Sequence, residues 1–257
     1  MSSLQKTRKD RTAIIIAAGR GSRLLKNEDS ANPVAHKSLI EVEGCTLLNT
    51  SIHKLLLLGF SEIIVVIGHR AESVVASVNK EFINNEVRFV ENKDYMNYGN
   101  MVSILKGIQD VDNDCLILDA DIIYEMKALS LILEAIDFNG FITTRKSGSG
   151  DEVLVESWNN TVTEITKFPK HSLIDGMSEY IGITAFNRKV LSHLRNLNAE
   201  DCGAIDYESY IDANLLRLFS FQELYLPDLV WIEVDSEADL QRLRSWSLNN
   251  LKRVTLK

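Results

Sequence analysis

The chain has 257 residues, is 45% hydrophobic and carries a formal net charge of −8. This acidic balance disfavours non-specific nucleic-acid binding, which needs clustered Lys and Arg side chains to neutralise phosphates. The three cysteines show no CxxC pair and no zinc-ligand spacing, and no apolar run approaches the ~20 residues of a membrane-spanning helix. We therefore expect a reduced, cytoplasmic protein with neither a nucleic-acid partner nor a membrane partner.

Short apolar strands alternate with helices through the first part of the chain, after a mobile N-terminal tail predicted over residues 1–10. The predicted elements are strands at 13–17, 62–67, 87–90 and 115–118, and helices at 46–58, 72–82, 100–109 and 129–136. Continuous β-branched runs are typical of parallel strands that are buried on both faces. The pattern predicts an α/β fold, a three-layer, open, mostly parallel sheet in a Rossmann-like arrangement.

The composition of the elements changes after residue 140. Strands are predicted at 153–157, 161–166, 180–186 and 229–234, and helices at 206–219 and 237–251. Closely spaced strands without intervening helices indicate a small, partly antiparallel region. We expect one domain over residues 11–257, with a first half of about 11–140 and a second half of about 141–257.

A glycine-rich segment, residues 17–23, follows the first predicted strand. Glycines allow a backbone to approach a ligand closely, successive N–H groups can bind phosphate oxygens, and Arg23 adds a forked cation. A dinucleotide-binding loop is disfavoured because Leu24 stands at the third glycine position, and a Walker loop would need GKS or GKT. A triphosphate-binding loop and a simple tight turn both remain open.

Residues 16–23, IAAGRGSR, and 36–42, HKSLIEV, carry a recognisable pattern. They resemble the LAAGxGxR…K signature of the nucleotidyltransferase superfamily that activates sugar phosphates and phosphocholine. One position departs from it, because the usual proline before the lysine is His36. The resemblance implies an enzyme in which Arg23 and Lys37 are catalytic. It also implies a loop that binds the triphosphate through Ala17, Ala18, Gly19, Gly21 and Ser22.

Acidic residues follow the strand at 115–118. Buried carboxylates are normally paired or bound to metal, and oxygen ligands suit Mg²⁺. The resemblance implies that Asp121 and Asp235 share one Mg²⁺, while Asp119 supports them or binds another ion. An N-cap of the last helix is the alternative for Asp235.

Residues 95–105, YMNYGNMVSIL, resemble a segment of the choline-phosphate and aminoethylphosphonate cytidylyltransferases. Asn100 and Ser103 match that segment and are assigned to the nucleotide, which favours CTP. An amide can donate to and accept from a cytosine edge. The alternative for Asn100 is a helix N-cap.

The second half resembles the acceptor region of the same enzymes. The resemblance places Lys167 at the acceptor phosphate and Glu179, Tyr180 and Asp206 in the acceptor pocket. The predicted function is Mg²⁺-dependent transfer of CMP from CTP to phosphocholine, aminoethylphosphonate or another phosphonate or phosphoalcohol, with release of pyrophosphate. Two alternatives remain, a sugar-1-phosphate nucleotidyltransferase that uses UTP or dTTP and a non-catalytic nucleotide-sensing subunit. The sequence leaves the oligomeric state open, and a homodimer is compatible with it.

Overall fold

The computed structural model describes residues 11–21, 36–82, 86–134, 137–169 and 176–256. The strands are β1 Thr12–Ala17, β2 Glu41–Val42, β3 Cys45–Thr46, β4 Glu62–Ile67, β5 Val87–Glu91, β6 Cys115–Asp119, β7 Ile122–Tyr124, β8 Asn139–Thr144, β9 Leu154–Trp158, β10 Thr161–Thr166, β11 Ser178–Phe186, β12 Phe221–Tyr225 and β13 Trp231–Glu233. The helices are α1 Leu47–Leu57, α2 Ala71–Glu81, α3 Met101–Gly107, α4 Met126–Glu134, α5 Arg188–Leu194, α6 Ala199–Cys202, α7 Tyr207–Tyr210, α8 Glu237–Arg244 and α9 Leu248–Val254. Within these ranges, every helix is too short or too polar to cross a lipid bilayer.

The first part of the main sheet is parallel, in the order β5-β4-β1-β6. Alternate residues of β1 enter two separate cores, with Ile14 in one and Ile15 in the other. Helix α3 covers the first face, and α1 and α2 cover the second. Burial on both faces explains why β1, β4 and β6 are largely apolar, whereas the edge strand β5, which contains Arg88 and Glu91, is only partly buried.

The second part of the sheet differs from the predicted open, mostly parallel arrangement. Strand β11 pairs antiparallel with β6, β8 and β9, and only β8 and β12 run parallel there. Because β11 also pairs with β9, the strands β11-β8-β12-β10-β9 close into a ring. The α/β class is confirmed, whereas the prediction of one open, mostly parallel, three-layer sheet was wrong: the sheet is mixed and partly closed.

The closure depends on two strands that the sequence did not suggest, β8 and β12. The predicted helix 206–219 is instead the single turn α7 followed by a π-helical segment, Ile211–Leu215, before β12 begins. The predicted helix 237–251 is two helices, because the chain ends α8 at Arg244 and Ser247 caps α9 through Asn250 N–H.

The site lies at the carboxyl edge of the parallel strands. Strands β1 and β6 are adjacent and parallel, with Ile16 opposite Asp119. The glycine loop that follows Ala17 and the acidic segment that ends β6 therefore emerge at the same edge. Open α/β sheets bind their ligands at this edge.

Candidate active site

His36 and Lys37 lie directly against the glycine loop. Lys37 begins a short 3-10 helix, Lys37–Leu39. The ring of His36 is buried, and its Nε2 lies 2.9 Å from the carbonyl oxygen of Gly19. A carbonyl oxygen can only accept, so Nε2 carries the proton and Nδ1 accepts from the Ser38 hydroxyl at 2.8 Å. At the position where the resembled signature has proline, hydrogen bonds of the His36 side chain thus join the glycine loop to the helix of Lys37.

Burial lowers the pKa of His36 below its ordinary value. The imidazole is therefore neutral near pH 7, which keeps Nδ1 available as an acceptor for Ser38. This neutral form is the one that the hydrogen bonds to Gly19 and Ser38 require.

Gly21 has a backbone conformation that favours glycine at this position. Its φ is +61°, and a Cβ atom there would lie 3.2 Å from two side-chain carbons of Lys37. The loop backbone therefore packs directly on the lysine stem. Of the other predicted loop residues, Ala17 and Gly19 line the cleft, Ala18 is buried in the core, and Ser22 and Arg23 lie outside the described residues.

The ammonium group of Lys37 is bound between two aspartates. Its Nζ lies 2.6 Å from Asp235 Oδ1 and also contacts Asp121 Oδ2. Burial alone would lower the pKa of Lys37, but the negative charges of Asp121 and Asp235 raise it above its ordinary value. Lys37 is therefore a permanent cation. It is held at the end of the sheet by two strand-end carboxylates, of which Asp235 is 198 residues away in sequence.

A third carboxylate, Glu233, belongs to the same cluster. Oxygen atoms of Asp121, Glu233 and Asp235 all lie within 4.8 Å of one another. Glu233 retains contact with solvent, but the protein that surrounds it in the cleft partly desolvates its carboxyl group. This burial, and then the negative charges of Asp121 and Asp235, raise the pKa of Glu233 well above its ordinary value. Two unit charges about 4 Å apart repel by about 4 kcal/mol at an effective dielectric constant of about 20. One lysine therefore leaves this cluster with excess negative charge.

Sequence analysis missed Glu233, although the sequence carries a signal for it. Residues two positions apart in an extended strand lie on the same face. Glu233 precedes Asp235 by two positions, as Asp119 precedes Asp121. A carboxylate at 233 was therefore to be expected beside Asp235.

Asp235 does not cap the last helical region. Ser236 is the N-cap of α8, and its side chain accepts from the backbone N–H of Asp239. Asp239 in turn accepts from the Ser236 backbone N–H at 2.9 Å, which completes a capping box. The alternative assignment of Asp235 as an N-cap was wrong, and its carboxylate faces Lys37 instead.

Asp119 has different partners from Asp121. The Tyr207 hydroxyl donates a hydrogen bond to Asp119 Oδ2 at 3.2 Å, and the Tyr180 hydroxyl forms a hydrogen bond with the Tyr207 hydroxyl. Burial, followed by the charges of Glu208 and Asp121, raises the pKa of Asp119 well above its ordinary value. Tyr180, predicted in the acceptor pocket, is thus part of a buried hydroxyl network that ends at Asp119.

Asn100 and Ser103, the two residues predicted to bind the nucleotide, are in different environments. Asn100 lines the cleft, and its Oδ1 accepts from the backbone N–H of Tyr207 at 2.7 Å, so it joins the start of α3 to α7. It occupies the N-cap position of α3 but makes no side-chain capping bond to that helix. Ser103 is buried and accepts from Asn92 Nδ2 at 3.0 Å, so the structure does not bring it to the cleft wall.

The predicted acceptor residues divide between two places. Lys167 and Asp206 line the cleft and form an ion pair of 3.2 Å. Burial alone would lower the pKa of Lys167, but Glu208 and then Asp206 raise it. Glu179 lies in a neighbouring pocket instead, where it is buried and accepts hydrogen bonds from the backbone and hydroxyl of Ser147.

Glu208 on α7 is the most unusual group of the cleft wall. It is 7% exposed, and its Oε2 has no hydrogen-bond partner among the residues that the structure describes. Burial, and then the charges of Asp206 and Asp121, raise the pKa of Glu208 to about 7. An unpaired buried carboxylate is costly unless a ligand supplies the partner.

The donor set fits a magnesium ion. Asp121, Glu233 and Asp235 offer only carboxylate oxygens, which are the hard ligands that Mg²⁺ prefers. Their excess negative charge complements a divalent cation. The phosphates of a bound nucleotide would supply the remaining oxygen ligands.

A family model described as the MobA-like NTP transferase domain matches residues 13–204. The match covers most of the chain, which therefore belongs to this family. The predicted membership of the nucleotidyltransferase superfamily is confirmed. The matched range includes the glycine loop, Lys37 and Asp121, and it ends before Asp235.

Among curated proteins, the chain is 24% identical over 238 residues to CMP-5'-(3-aminopropyl)phosphonate synthase of Streptomyces rubellomurinus, covering 88% of this chain and 37% of that protein. It is 25% identical over 226 residues to choline-phosphate cytidylyltransferase of Haemophilus influenzae, covering 88% of this chain and 82% of that protein. The chain spans half or less of the length of the first curated relatives it matches.

Among solved structures, the inositol-1-phosphate CTP transferase from T. maritima has a TM-score of 0.76 at 19% identity, covering 95% of this chain and 96% of that chain. At this identity the likeness shows the fold alone. Sugar-phosphate nucleotidyltransferases also share the fold.

Proposed function

We propose that the chain is a cytidylyltransferase that transfers CMP from CTP to a small phosphonate or phosphate acceptor and releases pyrophosphate. The observation that carries the proposal is the position of Lys37. Its ammonium group lies beside the glycine loop and between Asp121 and Asp235, at the ligand-binding edge of the sheet. A fixed cation and a carboxylate cluster at one point suit the α-phosphate of a nucleoside triphosphate and its metal ion.

The reaction needs charge neutralisation and positioning rather than a general base. An ionised oxygen of the acceptor attacks the α-phosphorus, and a new P–O bond forms. The bond from the α-phosphorus to the oxygen that bridges it to the β-phosphate breaks, and pyrophosphate leaves with the electron pair. Lys37 stabilises the negative charge on the α-phosphate, and the backbone at Gly19 and Gly21 binds the triphosphate.

Magnesium is part of the proposal. Asp121, Glu233 and Asp235 are the residues that would hold it. When bound, Mg²⁺ supplies positive charge that neutralises the phosphate oxygens.

The geometry of Asn100 supports CTP as the donor. Because its Oδ1 already accepts from Tyr207, the group that Asn100 can offer to a base is Nδ2, a hydrogen-bond donor. A donor complements N3 of cytosine, whereas N3 of uracil and thymine carries a hydrogen. Two curated relatives that are named for CMP or cytidylyl products support the same choice.

The acidic wall of the cleft supports an acceptor with an amine. Lys167 would bind the phosphonate or phosphate, and Glu208 lies nearby with a buried, unpaired carboxylate oxygen. A primary ammonium group could donate a hydrogen bond to that oxygen, which a quaternary ammonium group cannot do. An aminoalkylphosphonate therefore fits this wall better than phosphocholine.

A panel of nucleoside triphosphates tests the donor. Each of CTP, UTP, dTTP, ATP and GTP is incubated with Mg²⁺ and with 2-aminoethylphosphonate, phosphocholine or a sugar 1-phosphate, and pyrophosphate release is measured. We expect the highest kcat/KM for CTP with 2-aminoethylphosphonate. A preference for UTP or dTTP with a sugar 1-phosphate would replace this proposal with the sugar-phosphate alternative. Tight CTP binding without pyrophosphate release from any acceptor would favour a nucleotide-sensing subunit.

A further inference from the structure

A second cluster of metal-ligating side chains lies outside the active site. It consists of Cys45 on β3, His53 on α1 and Glu81 in the last turn of α2. One ligand atom from each lies within 4.8 Å of those of the other two. His53 Nε2 is 2.6 Å from Glu81 Oε1, and Cys45 Sγ is 3.9 Å from the same oxygen.

The chemistry of these ligands differs from that of the active site. A thiolate, an imidazole and a carboxylate form a mixed set, typical of zinc and its neighbours among the transition metals rather than of Mg²⁺. Three protein ligands leave a fourth tetrahedral position for water or another ligand. We propose that Cys45, His53 and Glu81 bind one zinc-class divalent cation.

Neighbouring residues hold the ligands in place. Asn49 Nδ2 donates to Glu81 Oε2 at 2.5 Å, which leaves Oε1 facing Cys45 and His53. The ring of His53 packs against that of Phe82, with the centroids 4.6 Å apart. Hydrogen bonds to ligating carboxylates and packing of ligating rings orient the ligands in metal sites. Burial alone would raise the pKa of Glu81, but hydrogen bonds from His53 and Asn49 keep it below its ordinary value.

The cluster is accessible to an ion. The side chains of His53 and Glu81 are 35% and 37% exposed, and Cys45 is partly buried. All three line a pocket whose other walls include Val42, Leu57 and Leu256. An ion can therefore enter from solvent, and its fourth position would face this mostly apolar pocket.

Binding replaces protons with metal in a balanced exchange. The metal takes the lone pair of His53 Nε2 once the imidazole proton has moved to Nδ1 by exchange with solvent, and the Cys45 thiol loses its proton to solvent. The ion would add a link between β3, α1 and α2 to the hydrogen bonds that Asn49 and His53 make with α2. Metal binding should therefore raise the melting temperature of the chain.

Cobalt titration of the full chain tests the site, because Co²⁺ bound to a thiolate gives a charge-transfer absorption that Co²⁺ bound to oxygen ligands lacks. The protein is reduced, stripped with EDTA and dialysed before titration. We expect this absorption to saturate at one Co²⁺ per chain and to disappear when Zn²⁺ is added. The Cys45→Ser variant should lack it, and His53→Gln should weaken the apparent affinity by at least about tenfold.

Two variants serve as controls. Cys202→Ala removes a cysteine that lies outside the cluster and should retain the absorption. Asp121→Asn alters the carboxylate cluster of the active site and should also retain it, which separates the two sites. No charge-transfer absorption at excess Co²⁺, or an absorption that persists in Cys45→Ser, would overturn the proposal. If circular dichroism shows that Cys45→Ser is unfolded, the partly exposed His53→Gln and Glu81→Gln variants decide the question, and an unchanged affinity in both would overturn it.

Discussion

Lys37 has a structural role in the ion pairs with Asp121 and Asp235, and the proposed reaction gives it a second, catalytic role. Without nucleotide, its ammonium group neutralises part of the charge of Asp121 and Asp235. In the proposed reaction, the same group would contact the α-phosphate of the nucleotide. Because removing one partner of a buried ion pair leaves the other charge uncompensated, Lys37 contributes to both the fold and the proposed reaction.

Replacing Lys37 with alanine should lower kcat for pyrophosphate release by at least about 100-fold, because the developing charge on the α-phosphate loses the cation that the proposal places beside it. Steady-state kinetics at saturating CTP and Mg²⁺ measure this loss. Lys37→Arg retains the charge and should keep more activity than Lys37→Ala. Near-normal turnover in a folded Lys37→Ala variant would contradict the assigned role.

Glu208 should make acceptor binding depend on pH. Its carboxyl group ionises as pH rises through about 7, and only the ionised form attracts an ammonium group. We expect KM for 2-aminoethylphosphonate to fall by up to about tenfold between pH 6 and pH 8. The Glu208→Gln variant is the control: the acceptor itself titrates in the same way in both assays, but the variant lacks the carboxyl group of Glu208. Identical pH profiles of KM in the two proteins would argue against contact between Glu208 and the amine.

At the scale of single residues, the sequence predicted the central cluster of the site. Lys37, Asp121 and Asp235 come together as the motif implies, although Lys37 begins a 3-10 helix and Asp235 follows β13, which pairs antiparallel with β7. The sequence failed for Ser103 and Glu179, whose hydrogen bonds to Asn92 and Ser147 depend on how different segments of the chain pack together. A resemblance between short segments does not contain that packing.

At the scale of elements, β11 connects the two parts of the sheet, and Gly182 is the point where it passes Asp119. Gly182 has φ +82°, and a Cβ atom there would lie 2.7 Å from Asp119 Oδ2. The pairing register of β11 shifts between Tyr180 and Thr184, on either side of this glycine. The strand therefore bends where it makes room for the carboxylate.

Gly182→Ala should destabilise the chain more than Gly148→Ala. Both glycines have positive φ, which costs a residue with a side chain about 1–2 kcal/mol, but a Cβ atom at Gly148 would meet no atom within 4 Å. The difference between the two variants isolates the clash with Asp119. Urea unfolding measures it, and equal losses of unfolding free energy would refute this account of Gly182.

The elements were predictable where both faces of the sheet are covered by helices. The strands β1, β4 and β6 have nearly continuous apolar sequences, and the predicted boundaries of these strands and of β5 are correct to within one residue. The ring closure was not predictable in the same way, because it depends on pairing between β9 and β11 and on the missed strands β8 and β12. Local periodicity does not specify which distant strands pair.

At the scale of the whole molecule, stability includes a cost from Lys54. This residue is 1% exposed, donates to the carbonyl oxygen of Tyr124, and has its Nζ 4.3 Å from the centroid of the Tyr124 ring. Burial lowers the pKa of Lys54 from 10.5 to about 7. Between these two values the unfolded chain retains a proton that the folded chain has lost.

The free energy of unfolding should therefore rise with pH from about 7 toward 10, with a contribution from Lys54 of at most about 1.4 kcal/mol per pH unit. Urea unfolding at pH 7, 8 and 9 measures the slope. Lys54→Met should lack this contribution, whereas Lys93→Met, at an exposed surface position, should retain it. Equal slopes in Lys54→Met and the unmodified chain would contradict the proposed titration of Lys54.

The most direct test of the account is product identification by mass spectrometry. The full chain is incubated with CTP, Mg²⁺ and 2-aminoethylphosphonate, and the mixture is analysed for a CMP conjugate and for pyrophosphate. We predict equal amounts of CMP-aminoethylphosphonate and pyrophosphate, with neither formed at a comparable rate by Lys37→Ala. The absence of a CMP conjugate with every phosphonate and phosphate acceptor, although CTP binds, would contradict the central claim that this cleft transfers a nucleotide.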